Sequence, residues 1–170
     1  LNMTRVSLED NDYLNVEVIG SLDLPKIIFS NSLGSDLRMW DPQVKAMKDK
    51  YCIIRYDKRG HGKSSPAKGP YSFDMLENDV IKIMDDFNVE KANFVGLSMG
   101  GMTSLGLALK HQNRFNKFVC CAARADMPPP FQEGWDLRIS IVTENDTKGV
   151  VNGSLERWFS EEFSKDPDNT

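Results

Sequence analysis

The stretch that decides the fold is Phe94–Gly101, which reads Phe-Val-Gly-Leu-Ser-Met-Gly-Gly. An apolar, strand-like segment runs into a Gly-x-Ser-x-Gly turn, and a helix-like segment with the alternating run Leu-Gly-Leu-Ala-Leu follows. This is the strand–turn–helix context in which a serine side chain is lifted out of the backbone as a nucleophile. We therefore predict that Ser98 is a catalytic nucleophile. The alternative is a serine that only caps the N-terminus of a helix.

The residues around Ser98 have separate parts in this prediction. A strained turn brings two backbone segments too close for a Cβ, which explains Gly96 and Gly100. The following helix points its free N–H groups and its positive dipole end at Ser98, where they can stabilise an oxyanion. We expect the N–H of Met99 to be one oxyanion donor. The second is expected from the loop after the strand Lys26–Ser30, where the candidate is Leu33; the alternative is a plain turn residue.

The composition is that of an ordinary globular domain and excludes several classes of protein. The chain has 170 residues, of which 40% are hydrophobic and 27% charged, with a net charge of −4. No basic stripe indicates nucleic-acid binding, and the apolar runs are too short to span a membrane. The N-terminus lacks the features of a signal peptide.

The cysteines indicate a reducing compartment. Cys52, Cys120 and Cys121 lie in strand-like apolar runs, and we interpret them as reduced core residues of a cytoplasmic protein. No Cys or His spacing typical of a metal site is present. Nucleophilic chemistry at Ser98 needs only protein groups, so we expect neither a metal nor an organic cofactor.

Strands alternate with helices along most of the chain, which predicts an α/β fold with a mostly parallel sheet. The expected strands are Tyr13–Val18 (an edge strand), Lys26–Ser30, Tyr51–Tyr56, Ala92–Leu97 and Phe118–Ala122. The expected helices run from about Trp40 to Asp49, from a cap at Ser72 to about Phe87, and from Ser98 to about His111.

The character of the sequence changes after Met127. A run of three prolines, Pro128–Pro130, interrupts the alternation, and residues from Phe131 to about Phe163 have helical character. The predicted organisation is a core domain at residues 1–126 and a small helical cap at residues 127–170. The polar tail from residue 164 onwards is expected to fray.

Four segments resemble the α/β-hydrolase superfamily and, within it, the 3-oxoadipate enol-lactonases. Residues 30–43 look like the oxyanion-loop segment of those lactonases, and Tyr56–Ser64 is similar to the D-x-R-G-H-G-x-S loop of the superfamily. Gly96–Gly101 matches its nucleophile turn, and Arg157–Phe159 resembles a cap-helix signature. The resemblance covers residues 30 to 160. It implies an α/β-hydrolase core, incomplete at its C-terminal side, with the start of a cap.

The resemblance also implies an activity, which is hydrolysis of a small carboxylate-bearing lactone in the breakdown of aromatic acids. Ser98 would attack the lactone carbonyl and form an acyl-enzyme, which water would then release. A substrate carboxylate needs a cationic partner. Arg138, one helical turn after Trp135, is one candidate, and Arg124 is its rival; each is equally well a surface arginine. Trp135 either lines the pocket or only packs.

The catalytic base is missing from this pattern, since the acid and histidine of the family lie beyond the cap. We interpret His61 as a residue that shapes the R-G-H-G loop, and His111 as a surface cation at a helix end. Neither is expected within reach of Ser98. Asp126 is interpreted as an exposed loop residue rather than the acid. Asp57 and Asp79 are interpreted as a loop residue and a helix-surface residue.

Three functions stay open at this point. The first is an enol-lactonase whose base comes from a further C-terminal segment or a second chain. The second is another esterase, thioesterase or perhydrolase with the same nucleophile. The third is a binding module that keeps the turn around Ser98 but has no base.

Overall fold

The structure of the chain, a computed structural model, describes residues 2–166. It divides into two compact units, Leu1–Ala125 and Asp126–Thr170. The predicted core and cap domains meet between residues 126 and 127, and the assignment of the second unit as a cap stays a prediction. No helix in the described part of the chain is long and apolar enough to cross a membrane.

The first unit is built on one six-stranded sheet. Its strands are β1 (Asn2–Ser7), β2 (Tyr13–Ile19), β3 (Lys26–Ser30), β4 (Cys52–Tyr56), β5 (Ala92–Leu97) and β6 (Phe115–Cys121), in the order β1-β2-β4-β3-β5-β6. β4, β3, β5 and β6 pair in parallel, whereas β1 and β2 are antiparallel additions at one side. The predicted α/β class with a mostly parallel sheet is therefore confirmed.

Helices pack on both faces of this sheet. They are α1 (Asp41–Met47), preceded by a 3₁₀ turn at Leu37–Trp40, then α2 (Phe73–Asp86) and α3 (Met99–Lys110). One core cluster joins Ile28, Ile54 and Phe94 to Ile83 of α2 and Leu107 of α3; the other joins Ile27, Phe29 and Ile53 to Trp40. Successive side chains of a strand point to opposite faces, so strands covered on both faces read as continuous apolar runs.

The helix boundaries follow local signals in the sequence. The Ser72 hydroxyl accepts a hydrogen bond from the Met75 N–H at 3.2 Å, which caps α2 as predicted. Of the apolar positions predicted at helical spacing, Val80, Ile83 and Met84 are fully buried and Leu76 is nearly so, whereas Phe87 follows the end of α2 and is partly buried. α3 begins at Met99, directly after Ser98.

Two strand predictions need correction. β2 is not an edge strand, because β1 pairs with it from Tyr13, opposite Ser7, to Val18, opposite Asn2. Only Val6 carries a buried apolar side chain within β1, so the sequence gives no clear alternation there. β6 begins at Phe115 rather than at Phe118.

The interpretation of all three cysteines as core residues is also wrong. Cys52 lies in the central strand β4 and is buried, but Cys120 is exposed and Cys121 is only partly buried. The reason is their position in β6, which is the last strand at its side of the sheet in the described residues. All three thiols are free, as predicted for reduced cysteines.

The second unit consists of helices. They are α4 (Pro129–Asn145), a 3₁₀ turn at Thr147–Val150, α5 (Val151–Trp158) and α6 (Glu161–Lys165). The chain turns between α4 and the 3₁₀ segment at Asp146, whose φ is +62°. No side chain of α4, α5 or α6 is buried. Residues 167–170 of the predicted frayed tail lie outside the described residues.

Candidate active site

Ser98 occupies the bend between β5 and α3. Its φ of +54° and ψ of −112° lie in a region that residues with a side chain rarely adopt. The Ser98 N–H donates to the Cys121 carbonyl at 2.9 Å, and the Ser98 carbonyl accepts from the Met102 N–H at 2.9 Å. The residue is partly exposed, and its hydroxyl has no hydrogen-bond partner within residues 2–166. The backbone therefore fixes a serine whose hydroxyl is free.

The two glycines that flank Ser98 are required by close backbone contacts. A Cβ on Gly96 would lie 2.1 Å from the carbonyl oxygen of Gly100. A Cβ on Gly100 would lie 2.2 Å from the carbonyl oxygen of Ser30, at the end of β3. These distances are far below van der Waals contact, so the steric explanation predicted from the sequence is confirmed.

Leu33 and Met99, the two predicted oxyanion donors, line one cavity of about 240 Å³ in the first unit. Its full lining is Leu33, Arg59, His61, Tyr71, Ser72, Phe73, Leu76 and Met99. Neither the Leu33 N–H nor the Met99 N–H has a hydrogen-bond partner in the described part of the chain. The structure thus brings the two residues to one cavity with both donors unused.

Asn31 joins the loop before Leu33 to the elements around it. Its buried side chain donates from Nδ2 to the Tyr56 carbonyl at 3.1 Å and accepts on Oδ1 from the Trp40 indole N–H at 3.0 Å. Its main-chain carbonyl accepts from the Gly100 N–H at 3.1 Å and from the Lys58 ammonium. The sequence analysis did not predict that Asn31 and Lys58 contact each other beside the site. An Asp-Lys-Arg run after a strand does not indicate that its lysine is buried.

His61 connects the R-G-H-G loop to the loop that carries Leu33. Its Nε2 accepts from the Gly34 N–H at 3.1 Å, and its Nδ1 lies 2.9 Å from the Arg59 carbonyl oxygen. A carbonyl can only accept, so these contacts assign a neutral ring with the proton on Nδ1. Burial lowers the pKa of His61 and nearby Lys58 lowers it further, whereas the Arg59 carbonyl raises it. Both ring nitrogens are engaged, as expected for a loop-shaping residue.

His111 lies at the other end of α3 from Ser98. Its N–H donates to the Leu107 carbonyl at 2.8 Å, where it ends the helix. A helix of this length spans about 18 Å at 1.5 Å per residue, so His111 is out of hydrogen-bond reach of Ser98. This agrees with its interpretation as a residue outside the site.

Of the two aspartates assigned from the sequence, Asp57 is a loop residue and Asp79 is not a surface residue. Asp57 is buried, and its carboxylate accepts from the Leu37 N–H at 2.8 Å and from the Lys63 N–H at 2.9 Å. Asp79 is also buried, and Arg59 binds its two oxygens at 2.7 Å each. Burial raises the pKa of Asp79, and the bonds from Arg59 oppose that rise. The surface interpretation fails because α2 packs against the loop that carries Arg59.

The candidates for carboxylate binding lie in both units. In α4 the Arg138 guanidinium carbon lies 4.7 Å from the centroid of the Trp135 ring, so these two residues are neighbours. Burial lowers the pKa of Arg138, and so does the like charge of Arg157. Arg124 lies in the first unit, in the loop after β6, and is partly exposed. No group of three metal-ligating side chains occurs within residues 2–166.

The sequence of the chain is similar to one family model and to several named enzymes. A family model described as the alpha/beta hydrolase fold matches residues 25–164. The chain is 39% identical over 153 residues to 3-oxoadipate enol-lactonase 2 of Acinetobacter baylyi, covering 90% of this chain and 57% of that protein. It is 35% identical over 128 residues to a Caulobacter segnis protein named provisionally as carbamate hydrolase RutD, covering 74% and 48% of the two chains.

Solved structures show the same similarity. A hydrolase from Pseudomonas aeruginosa matches with a TM-score of 0.90 and 34% identity, over 99% of this chain and 64% of that one. The enol-lactonase of Burkholderia xenovorans matches with a TM-score of 0.84 and 37% identity, over 91% and 59%. The chain spans only part of the length of these relatives: 57% of 3-oxoadipate enol-lactonase 2 and 58% of 3-oxoadipate enol-lactonase 1, both of Acinetobacter baylyi. On the extent of the family match and the fold described above, the chain belongs to the α/β-hydrolase fold family.

Proposed function

We propose that this chain carries the nucleophile and the oxyanion hole of a serine hydrolase that acts on a small carboxylate-bearing lactone. The observation that carries the proposal is the free hydroxyl of Ser98 at a strained bend directly before Met99, whose unused N–H shares a cavity with the residue that bears the other unused donor, Leu33. The identities of 39% and 37% to named enol-lactonases support a lactone as the substrate class. A cytoplasmic location, suggested by the free thiols, belongs to the same proposal.

In the proposed reaction, the Ser98 Oγ attacks the lactone carbonyl and forms a tetrahedral intermediate. The N–H groups of Leu33 and Met99 stabilise the negative charge that develops on the former carbonyl oxygen. Cleavage of the ring C–O bond leaves an acyl-enzyme with the leaving oxygen tethered to the acyl group. Water then adds to the ester and releases the open dicarboxylate. No metal or organic cofactor takes part in these steps.

The general base must come from outside residues 2–166 in this proposal. Of the two histidines, His61 is engaged at both ring nitrogens and His111 lies at the far end of α3. The edge strand β6 exposes Val119 by 49%, and such an edge can pair with another strand. We propose that a further segment or a second chain adds to β6 and supplies the acid and the histidine. A monomeric 19.2 kDa species with full lactonase turnover, measured by native mass spectrometry and assay, would contradict this.

Recognition of the substrate carboxylate is assigned to Arg138 of the second unit. Its guanidinium stacks on Trp135 and has no ion pair with any described residue, while Arg157 adds a second positive charge nearby. Two adjacent cations that form no ion pair within residues 2–166 favour an anionic ligand. Arg124 remains the rival. Arg138→Met should raise KM for acidic lactones without raising it for uncharged esters; if Arg124→Met alone does so, the assignment moves to Arg124.

The experiment that tests the proposed function is a panel of acidic lactones, neutral lactones, esters and carbamates, assayed with the complete natural polypeptide. We expect acidic lactones to be the best substrates. Ser98→Ala should lower kcat by roughly 10⁶-fold, as loss of an activated nucleophile does. Ser164→Ala is the matched control, because Ser164 is exposed in α6, and it should keep full activity.

Two other functions are favoured by single observations and are outcomes of the same panel. Identity of 35% to the named carbamate hydrolase favours a carbamate or ester substrate for the same Ser98 machinery. With His61 engaged at both ring nitrogens and His111 at the far end of α3, neither histidine of the chain can serve Ser98 as a base, which is the arrangement that a binding module without catalysis would also show. Preference for carbamates would support the first of these, and no turnover of any substrate would support the second.

A further inference from the structure

Lys58 is a buried lysine without an obvious structural reason. It follows Asp57 in the loop after β4, and only 1% of its surface is exposed. Lysine is almost never fully buried unless it is paired, because an ammonium loses its hydration at a large cost in free energy. Lys58 has no ion pair at salt-bridge distance with any described residue. The reactions proposed above do not use it.

The lysine amine is placed under the loop that carries Leu33. Its Nζ donates to the main-chain carbonyl of Asn31, and the same carbonyl accepts from the Gly100 N–H at 3.1 Å. One carbonyl oxygen is therefore held both by the first turn of α3 and by Lys58. Asn31 is two residues before Leu33, so whatever fixes this peptide also limits the direction of the Leu33 N–H.

We propose that Lys58 is a positioning residue of the oxyanion hole, which acts through the Asn31 carbonyl and is most effective as an ammonium. It holds the loop against the start of α3 and so keeps the Leu33 and Met99 donors directed at one point. It does not touch the substrate. This inference rests on the proposed function, because it gives Leu33 a role that only an oxyanion hole requires.

The charge of Lys58 makes the proposal testable. Burial lowers the pKa of Lys58 to about 7, with Asp57 opposing the shift. His61 is a further titratable group near Lys58, and Lys58 lowers its pKa. An ammonium makes a stronger hydrogen bond to a carbonyl than a neutral amine does, and it adds positive potential beside a developing oxyanion. Its contribution should therefore decrease as the pH rises through about 7.

The experiment measures the rate of Ser98 labelling by a fluorophosphonate in the complete natural polypeptide, from about pH 6 to about pH 9. Lys58→Met keeps the length of the side chain and removes the donor and the charge. We expect it to slow labelling roughly 10- to 100-fold at the acid end, as misaligned catalytic groups do. The ratio of wild-type to Lys58→Met rates should then shrink as the pH rises. The ratio removes the part of the pH dependence that wild type and variant share, such as a common titration of the base.

The matched control is Lys63→Met, an exposed lysine of the same loop, which should label at the wild-type rate. Lys58→Gln keeps an uncharged N–H donor, so it should lose only the part of the labelling rate that depends on the charge of Lys58. If Lys58→Met does not fold, the comparison of Lys58→Gln with wild type decides the question. Equal labelling of a folded Lys58 variant and wild type at the acid end, or a rate ratio independent of pH, would overturn the inference. A wild-type chain that never labels contradicts the proposed function itself, and the inference with it.

Discussion

Ser98 is held in a backbone conformation that costs the chain stability. A residue with a Cβ at φ +54° and ψ −112° costs about 1–3 kcal/mol, and the surrounding hydrogen bonds hold it there. Selection for stability alone would place glycine at this bend, because glycine adopts positive φ without strain. The presence of serine there supports a function for its hydroxyl.

This strain leads to a prediction about two variants that both lack the hydroxyl. Ser98→Ala keeps the Cβ and the strain, whereas Ser98→Gly removes them. We expect Ser98→Gly to be more stable than Ser98→Ala by about 1 kcal/mol in urea unfolding, even after the entropy that glycine adds to the unfolded chain. If Ser98→Ala is the more stable of the two, the bend is not strained.

The lowered pKa of His61 predicts that the stability of the folded chain depends on pH. The pKa of His61 in the folded chain lies below the ordinary histidine value of about 6.5, so the folded state binds fewer protons than the unfolded state does around that pH. The stabilisation is present above about pH 6.5 and is lost as the pH falls through the lowered folded pKa, because protonated Nε2 cannot accept from Gly34. The difference in melting temperature between wild type and His61→Phe should shrink on acidification. A constant difference would contradict the neutral-ring assignment.

At the scale of elements, the site depends on how closely α3 approaches β3. The first turn of α3 lies against the end of β3, where Gly100 meets the carbonyl of Ser30. Both partners are backbone, so neither can move away as a flexible side chain could. The contact sets the position of α3, and with it the direction of the Met99 N–H.

We predict that Gly100→Ala destabilises the chain by more than about 2 kcal/mol, as overpacking against rigid backbone does, and that it abolishes labelling of Ser98. Gly153→Ala is the matched control, because no atom lies within 4 Å of a Cβ at that helical position. It should be neutral or slightly stabilising. Chemical denaturation of both variants is the measurement, and a harmless Gly100→Ala would contradict the close approach.

The elements that the sequence predicted well are those with a strong local signal. The central strands are continuous apolar runs because both their faces are covered, and β5 has the predicted bounds, Ala92–Leu97. The sequence analysis missed β1 because its one buried apolar residue, Val6, does not produce an alternation of apolar and polar positions. The burial of Lys58 and Asp79 depends on contacts between loops and helices far apart in the chain, which no local pattern contains.

At the scale of the whole molecule, the described residues leave apolar surface uncovered. β6 is an edge strand with Val119 exposed, and in the second unit Leu137 is 63% and Ile139 61% exposed. Exposed apolar patches mark surfaces that contact other groups. This agrees with the proposal that another segment or chain pairs with β6.

The reactivity of the Cys120 thiol tests the proposal that another segment or chain pairs with β6. Cys120 is exposed in β6, whereas Cys52 is buried and burial raises the pKa of its thiol. Iodoacetamide should alkylate Cys120 roughly tenfold more slowly in the complete natural polypeptide than in residues 1–170 alone, because a paired strand would cover it. Cys52 is the internal control and should react slowly in both. Equal rates at Cys120 would mean that nothing covers β6.

The most direct measurement is peptide mapping of the complete natural polypeptide after reaction with a fluorophosphonate. The account predicts one phosphonyl adduct per chain, located on the peptide that contains Ser98, and none in Ser98→Ala. An adduct on a different serine, or an unmodified Ser98 peptide in a protein that still hydrolyses lactones, would contradict the assignment of Ser98 as the nucleophile.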